Sequence, residues 1–334
     1  MPTKKVALIT GVTGQDGSYL AEFLIKNSYK VHGIIRNTNK NNASNINHLI
    51  NRTDKPDGHL FLHECNLDDF SRFAKIVKNI RPDEIYHLAG QSNVATSLQD
   101  PLLTCEISGN NVLKILEQVR QFDISPKFFH ASSSEVFGRP FVMPQDESTQ
   151  HFPINPYGCA KSFATNIVRI YRERYGLFAV NGILYNHESP RRGKDFVTRK
   201  ITRAAAAIKL GLQKELLVGD ISSKRDWGYA PDYVQGMWLS LQALEPDDYV
   251  FATGELHSVQ DVIDIAFSTL GLSSENYVKV DPNLVRISDP SRLVGNSIKA
   301  LHILGWKPKV PFKQIIEEMT LSDLDILTNT RGRV

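Results

Sequence analysis

Val6-Ala7-Leu8-Ile9-Thr10-Gly11-Val12-Thr13-Gly14-Gln15-Asp16-Gly17 decides the fold. Five residues of strand character run straight into glycines at positions 11, 14 and 17, and an amphipathic stretch follows at 18–26. Glycines at this spacing permit a tight turn and bring backbone N–H groups and a helix N-terminus against a pyrophosphate. A glycine triplet by itself is often only a turn. Context gives this one its meaning: a strand before, a helix after, and a second strand at 30–35.

Further along, strand-like runs at 59–63, 84–87, 127–131 and 178–184 alternate with helical periodicity at 70–80, 110–122 and 157–175. This alternation predicts repeated βαβ units. The fold class is α/β, a Rossmann-type doubly wound parallel sheet with right-handed crossovers and ligands beyond the carboxyl ends of the strands. After about residue 185 the pattern loosens into a polar stretch containing Pro and Gly. An apolar helix at 201–210, a short strand at 216–219 and helices at 258–270, with Ser258 as N-cap, and 312–327 come next. We read residues 1–184 as a dinucleotide-binding domain and 185–334 as mainly a smaller α/β C-terminal substrate-binding lobe, with the chain able to cross back between them. No repeat or flexible linker separates the lobes, so substrate is expected between them. Residues 329–334 are expected to fray.

Composition narrows the function classes. The 334 residues are 41% hydrophobic, 22% charged and 9% aromatic, which excludes a disordered or fibrous chain. With 39 Lys and Arg against 36 Asp and Glu the net charge is +3, too balanced for a polyanion-binding field, so nucleic acid is not expected as a partner. The three cysteines, Cys65, Cys105 and Cys159, are odd in number and lack CxxC spacing. They imply no disulfide framework, no zinc set and a reducing compartment. No run approaches the roughly 18 apolar residues of a membrane span, and no secretory pattern opens the sequence; the expectation is a cytoplasmic chain without a membrane partner.

The second strand ends at Ile34-Ile35-Arg36-Asn37 without the acidic residue that accepts an adenosine 2′-hydroxyl, and Arg36 suits a 2′-phosphate instead. NADP is therefore expected over NAD, the alternative being that Arg36 is a solvated loop residue. Asn66 and Leu67 follow the third strand on the adenine side. Leu88, Ala89, Gln91 and Ser92 follow the fourth on the ribose-phosphate side. With Gly11, Thr13, Gly14, Gln15, Asp16, Gly17 and Arg36 they make up the candidate cofactor set.

Tyr157 and Lys161 stand four apart, hence on one helix face, with Asn155 as cap and Pro156 in the first turn. A neighbouring ammonium favours the phenolate, so Lys161 is expected to lower the Tyr157 pKa from about 10 and let it take a proton from an alcohol as hydride leaves the carbon. Tyr-x-x-x-Lys is common as a surface pair. This pair follows a fifth strand that ends at Ser132-Ser133-Ser134-Glu135, where hydroxyls stand beside one carboxylate. Glu135 can remove a carbon-bound proton next to a carbonyl, which elimination of water after oxidation requires. The bland reading is that the serines end the strand and Glu135 pairs with a surface cation.

These residues resemble the extended short-chain dehydrogenase/reductase family and, within it, the GDP-mannose 4,6-dehydratases. The narrower likeness rests on residues 11–17, on Asn181-Gly182-Ile183-Leu184-Tyr185-Asn186-His187-Glu188-Ser189-Pro190-Arg191-Arg192-Gly193, on Phe196-Val197-Thr198-Arg199-Lys200 and on Lys224-Arg225-Asp226-Trp227-Gly228. It implies redox-neutral dehydration of a GDP-sugar to its 4-keto-6-deoxy form, with Ser133 in the place of a catalytic threonine and with Glu135, Tyr157 and Lys161 as its companions. Lys161, His187 and Arg192 would touch the cofactor, although the residues themselves suggest that only for Lys161; His187 on an irregular segment reads more readily as a satisfied structural histidine, and Arg192 as a surface cation. Ser92, Ser134, Asn186, Val197, Lys200, Gly219, Arg225, Arg286 and Asp289 would hold the GDP-sugar, while Asp226 and Trp227 organise the fold. A homodimer or homotetramer is implied as well.

Four positions depart from the family pattern: Ser133 for threonine, Asn37 for a second arginine, Asp289-Pro290-Ser291 for a Glu-Val-Asp run, and Leu103 where a tyrosine often stands. The lost methyl at 133 leaves room for a GDP-manno-heptose as an alternative sugar. A reductase of the 4-keto product is a second alternative; it would have no need of Glu135.

Overall fold

A computed structural model of the chain describes residues 4–36, 44–50, 60–122, 124–284 and 293–331. Strands β1 (Val6–Thr10), β2 (Lys30–Ile35), β3 (Leu60–Glu64), β4 (Glu84–His87), β5 (Lys127–Ser133) and β6 (Ala179–Leu184) alternate with helices α1 (Gln15–Lys26), α2 (Asn47–Ile50), α3 (Phe70–Ile80), α4 (Val94–Gln99), α5 (Pro101–Cys105), α6 (Asn111–Gln121) and α7 (Pro156–Tyr175). Beyond them lie β7 (Asn186–Glu188), α8 (Val197–Lys209), β8 (Leu216–Val218), β9 (Lys224–Arg225), β10 (Trp227–Tyr229), α9 (Ala230–Gln242), β11 (Asp248–Phe251), β12 (His257–Ser258), α10 (Val259–Thr269), β13 (Val278–Val280), α11 (Ile298–Leu304) and α12 (Phe312–Arg331).

The main sheet has the order β11-β6-β5-β4-β1-β2-β3 and is parallel throughout. Its central strands are buried on both faces, so they read as continuous apolar runs rather than alternating ones. Strand order reverses between β1 and β4, and the crevice opens there. Apolar residues of α1, β1, β4 and α9 fill one core layer, and those of α3, α6 and α7 fill another.

Residues 230–251 return to this first lobe. Helix α9 packs on α1, with the Phe23 and Trp238 rings 5.4 Å apart, and β11 pairs in parallel with β6 as the seventh strand. Neither element is among those the sequence pattern predicts. Asp248-Tyr249-Val250-Phe251 is four residues long and carries no period, and its place is set by a partner more than 60 residues away. A separate core of α8, α10 and α12 builds the second lobe. Ser258 caps α10 as expected, in a reciprocal box with Asp261. Fraying from 329 onward is not seen as far as Arg331, since α12 continues to that residue.

Candidate active site

The phosphate end of the cleft is shaped by what its residues lack. Gly11 has φ +73°, and a Cβ there would lie 2.8 Å from Ala89 N. At Gly17 it would lie 2.3 Å from Gly11 O, and at Gly33 2.6 Å from a Val12 methyl. The turn therefore meets its helix and the segment after β4 at backbone distance, and β2 makes room for the Val12 side chain. Gly14 is the N-cap of α1 and offers no side chain to its first N–H groups, which leaves them suited to a phosphate. Across the switch point the Ala89 N–H donates to Thr10 Oγ1, which bonds His87 Nδ1 at 2.9 Å. Thr13, Gln15, Asp16, Arg36, Asn66, Leu67, Leu88, Gln91 and Ser92 line the same cleft. Arg36 is exposed at the end of β2; Asn37 lies outside the described residues.

The catalytic corner depends on side chains that hold one another. Ser133 ends β5, and its Oγ accepts the Glu135 N–H at 3.3 Å, starting a short 3-10 turn. Asn155 does two jobs. Its Oδ1 caps α7 at Gly158 N, 2.8 Å away, while its Nδ2 donates to Glu135 Oε2 at 2.8 Å. The helix start and the carboxylate are thereby fixed to each other. A Cβ at Gly158 would meet Glu135 O at 2.5 Å, so the approach of α7 to the turn requires glycine.

Tyr157 is 7% exposed and hydrogen-bonds Ser133. Lys161 lies over the Tyr157 ring, 5.9 Å from its centroid, and donates to Ala131 O at 2.7 Å. The expected lowering of the phenol is not found: burial pushes Tyr157 up to about 12 despite the Ser133 hydrogen bond. Burial also pushes Lys161 down to about 8. Desolvation sets both directions, and the Lys161 ammonium is committed to a backbone carbonyl rather than to the phenol.

Ser134 is a second correction. It begins the 3-10 turn, is 3% exposed and does not line the cleft, whereas Ser133 does. The strand has ended at Ser133, so Ser134 lies in the turn beyond the edge that Ala131, Ser132 and Ser133 present to the cleft.

The opposite wall is built from residues 184–225. Asn186, His187, Arg192, Val197, Lys200, Gly219 and Arg225 all line the cleft; Arg286 and Asp289 lie outside the described residues. His187 has both ring nitrogens occupied, Nδ1 with Tyr185 O at 2.7 Å and Nε2 with Asp16 Oδ2 at 2.9 Å, and its ring stacks on Tyr233. Burial works against its charge, yet the Asp16 carboxylate raises its pKa above the usual value. Arg192 pairs with the buried Glu188 at 3.3 Å and lies over the Phe196 ring. Lys200 Nζ donates to Leu217 O. Asp226 accepts from Thr253 N, Thr253 Oγ1, Gly254 N and Gly295 N, a staple that ties the second lobe to the end of the sheet, as expected of a residue that organises the fold. Asn155, Gln15 and Ser189 escape the sequence reading as side-chain partners. Only Asn155 carries a signal, as a cap, and nothing local says what its other amide atom touches.

The cleft holds about 2070 Å³, roughly twice the upper range of a single small-ligand pocket, and so has room for a dinucleotide and a nucleotide sugar together. Its open helix N-terminus, glycine-bearing turn and buried ammonium fit the pyrophosphate and ribose of a dinucleotide. Among the described residues no cluster of three metal-ligating side chains occurs, and no helix is long and apolar enough to cross a membrane.

Residues 8–319 match the family model described as GDP-mannose 4,6 dehydratase. The chain is 46% identical over 328 residues to GDP-mannose 4,6 dehydratase 2 of Arabidopsis thaliana, covering 97% of this chain and 88% of that protein. It is 43% identical to GDP-mannose 4,6 dehydratase of Cricetulus griseus, covering 97% and 92%. Among solved structures, the UDP-glucose 4-epimerase of Thermus thermophilus, in complex with NAD, superposes with a TM-score of 0.80 at 25% identity over 98% of this chain and all of that one. The chain belongs to the GDP-mannose 4,6 dehydratase family, hydro-lyases acting on a nucleotide sugar within the nicotinamide-dependent extended short-chain dehydrogenase/reductases.

Proposed function

We propose that this chain converts GDP-mannose to GDP-4-keto-6-deoxymannose with loss of one water, using NADP and the residues of the β5–α7 corner. The observation that carries the reading is the convergence of Ser133, Glu135, Tyr157 and Lys161 on one cleft, with Glu135 held by Asn155. The backbone of 11–17 would hold the pyrophosphate, Arg36 the 2′-phosphate, and Lys161 the nicotinamide ribose. When bound, the cofactor supplies a hydride acceptor for C4, a hydride donor for C6 and a positive charge in the cleft.

In this reading the positive charge that the bound cofactor would bring, together with Lys161, draws Tyr157 to its phenolate, which accepts the proton of the sugar 4-hydroxyl, and Ser133 hydrogen-bonds the resulting 4-ketone. Glu135 takes the C5 proton, acidified by that ketone, and the C6 hydroxyl leaves as water with a proton from Glu135 or Ser133. A proton then returns to C5, so atoms and electrons balance and no cofactor is consumed. Asn186, Val197, Lys200, Gly219 and Arg225 form the GDP side, with Arg225 suited to the diphosphate. On this division the cofactor belongs to the seven-stranded lobe with 230–251 included, and the sugar nucleotide to the remainder of the second lobe.

Mass and NMR analysis of purified protein with GDP-mannose, catalytic NADP and no reductant tests the reading. A 6-deoxy product lighter by one water is expected. Preference for GDP-manno-heptose would follow from the smaller side chain at Ser133, and NADPH consumption on a 4-keto sugar without dehydration would show a reductase instead. Exposed Leu98 (65%), Leu102 (84%), Phe163 (42%) and Ile170 (45%) on α4, α5 and α7 support a homodimer or homotetramer, measurable by light scattering. The free thiols of Cys105 and Cys159 are exposed, which suits the cytoplasm.

A further inference from the structure

The buried amide of Asn155 fits its place in only one orientation. Its Oδ1 faces the Gly158 N–H, which can only donate, and its Nδ2 faces Glu135 Oε2, which as a carboxylate oxygen can only accept, each at 2.8 Å. A helix cap needs no more than the first of these bonds. The second is directed at the carboxylate. Glu135 lines the cleft, and among the described residues its Oε1 has no hydrogen-bond partner. One oxygen of the carboxylate is thus anchored and the other is left to the substrate. Ser133 Oγ holds the same residue by its N–H, so backbone and side chain of Glu135 are both fixed.

A glutamate side chain swings unless it is held, and a base has to meet its proton at roughly 3 Å. The bond also has an electrical side. The Gly158 N–H belongs to the positive end of α7, and an amide that accepts there and donates onward is polarised, which strengthens the second bond and passes the field of the helix end to the carboxylate. Tyr157 stands in the first turn of the same helix but is bonded through Ser133, not through Asn155. We propose that Asn155 is a positioning residue for the loss of water alone: it anchors Glu135 Oε2 to the start of α7 so that Oε1 is presented to the C5 proton, and it takes no part in oxidation at C4. The inference rests on reading Glu135 as the base for that proton.

Single-turnover mixing of the NADP-loaded protein with GDP-mannose, followed by NADPH absorbance and by mass analysis of quenched samples, separates the two steps. Asn155→Asp keeps the shape and the cap but turns the donor toward Glu135 into an acceptor. Asn155→Gly removes the side chain with a residue that caps nearly as well. In both variants NADPH should appear within twofold of the wild-type rate, which also shows them to be folded. It should then persist, because formation of the 6-deoxy product slows, by about tenfold in Asn155→Gly and by about a hundredfold in Asn155→Asp, where two carboxylates face each other. Product formed at the wild-type rate in Asn155→Asp would reduce Asn155 to a cap, since aspartate caps equally well. Equal slowing of NADPH appearance and of water loss would show that Asn155 holds the whole helix start. Either result overturns the proposal. Water loss that survives in Glu135→Gln, with Asn155 intact, would instead remove Glu135 as the base, a failure that the Asn155 variants cannot produce.

Discussion

The two ends of the cleft are made in different ways. At the phosphate end, Gly11 and Gly17 let backbone approach backbone, Gly33 leaves room for the Val12 side chain, and the site is the main chain itself. At the catalytic corner and the wall facing it, each working side chain is held by another group: Glu135 by Asn155, His187 by Asp16, Lys161 by Ala131 O. The first kind of site fails with the fold when it is altered. The second can lose its chemistry while the fold survives, and the comparison can be tested on that difference.

The largest effect is expected from Tyr157→Phe. Removing the proton acceptor of the first step should lower kcat by about 10²- to 10⁴-fold, with no transient NADPH signal, while the melting temperature changes little because only the Ser133 hydrogen bond is lost. Normal NADPH formation would move the first step to another group. Glu135→Gln sharpens the contrast within the corner, since it should keep the transient signal and stop water loss.

Gly17→Ala should behave in the opposite manner. Its Cβ would sit 2.3 Å from Gly11 O and 2.7 Å from Val12 Cα, both backbone, so the turn must move. A loss of about 3 kcal/mol in denaturant unfolding is expected together with loss of NADP binding. Retained NADP affinity in a destabilised variant would break the claim that site and fold coincide there.

Lys161 gives a prediction of the other sign. Its folded pKa of about 8 lies below the ordinary lysine value of 10.5, so the native state carries the full cost of the buried charge below pH 8 and none above about 10.5. Lys161→Met should therefore be inactive yet more stable at pH 7, by at most about 3 kcal/mol, and the gain should shrink as pH rises from 8 to 10.5. A difference that does not depend on pH would show that folding leaves the Lys161 pKa at its ordinary value. The smallest effect belongs to Asp226→Asn, which turns acceptors toward the donors of Thr253, Gly254 and Gly295 into an amide. Destabilisation of about 2 kcal/mol is expected from chemical denaturation, with the activity of the folded fraction intact.

The phosphate end was legible because its signal is local: three glycines after one strand and before one helix. The strands β1 to β6 were legible as apolar runs, and Asn155 as a cap on α7. Strand β11 was not, because four residues without period take their place only from β6. Ser134 was placed on the substrate by the family likeness, which does not show that the turn after β5 buries it. The Tyr157 expectation counted the neighbouring ammonium and omitted burial, which no spacing reveals.

Sequence alone determined the class of sheet, the position of the dinucleotide turn, the identity of the four residues proposed for catalysis and the family to which the chain belongs. Those follow from short-range patterns, where backbone propensity and residue chemistry act within a few positions. Tertiary structure decided which side chains face the cleft, how burial moves Tyr157 and Lys161 in opposite directions, and that the side chains of Gln15 and Asp16 reach a segment more than 160 residues away. These depend on desolvation and on contacts between distant segments, which exist only once the chain has closed on itself.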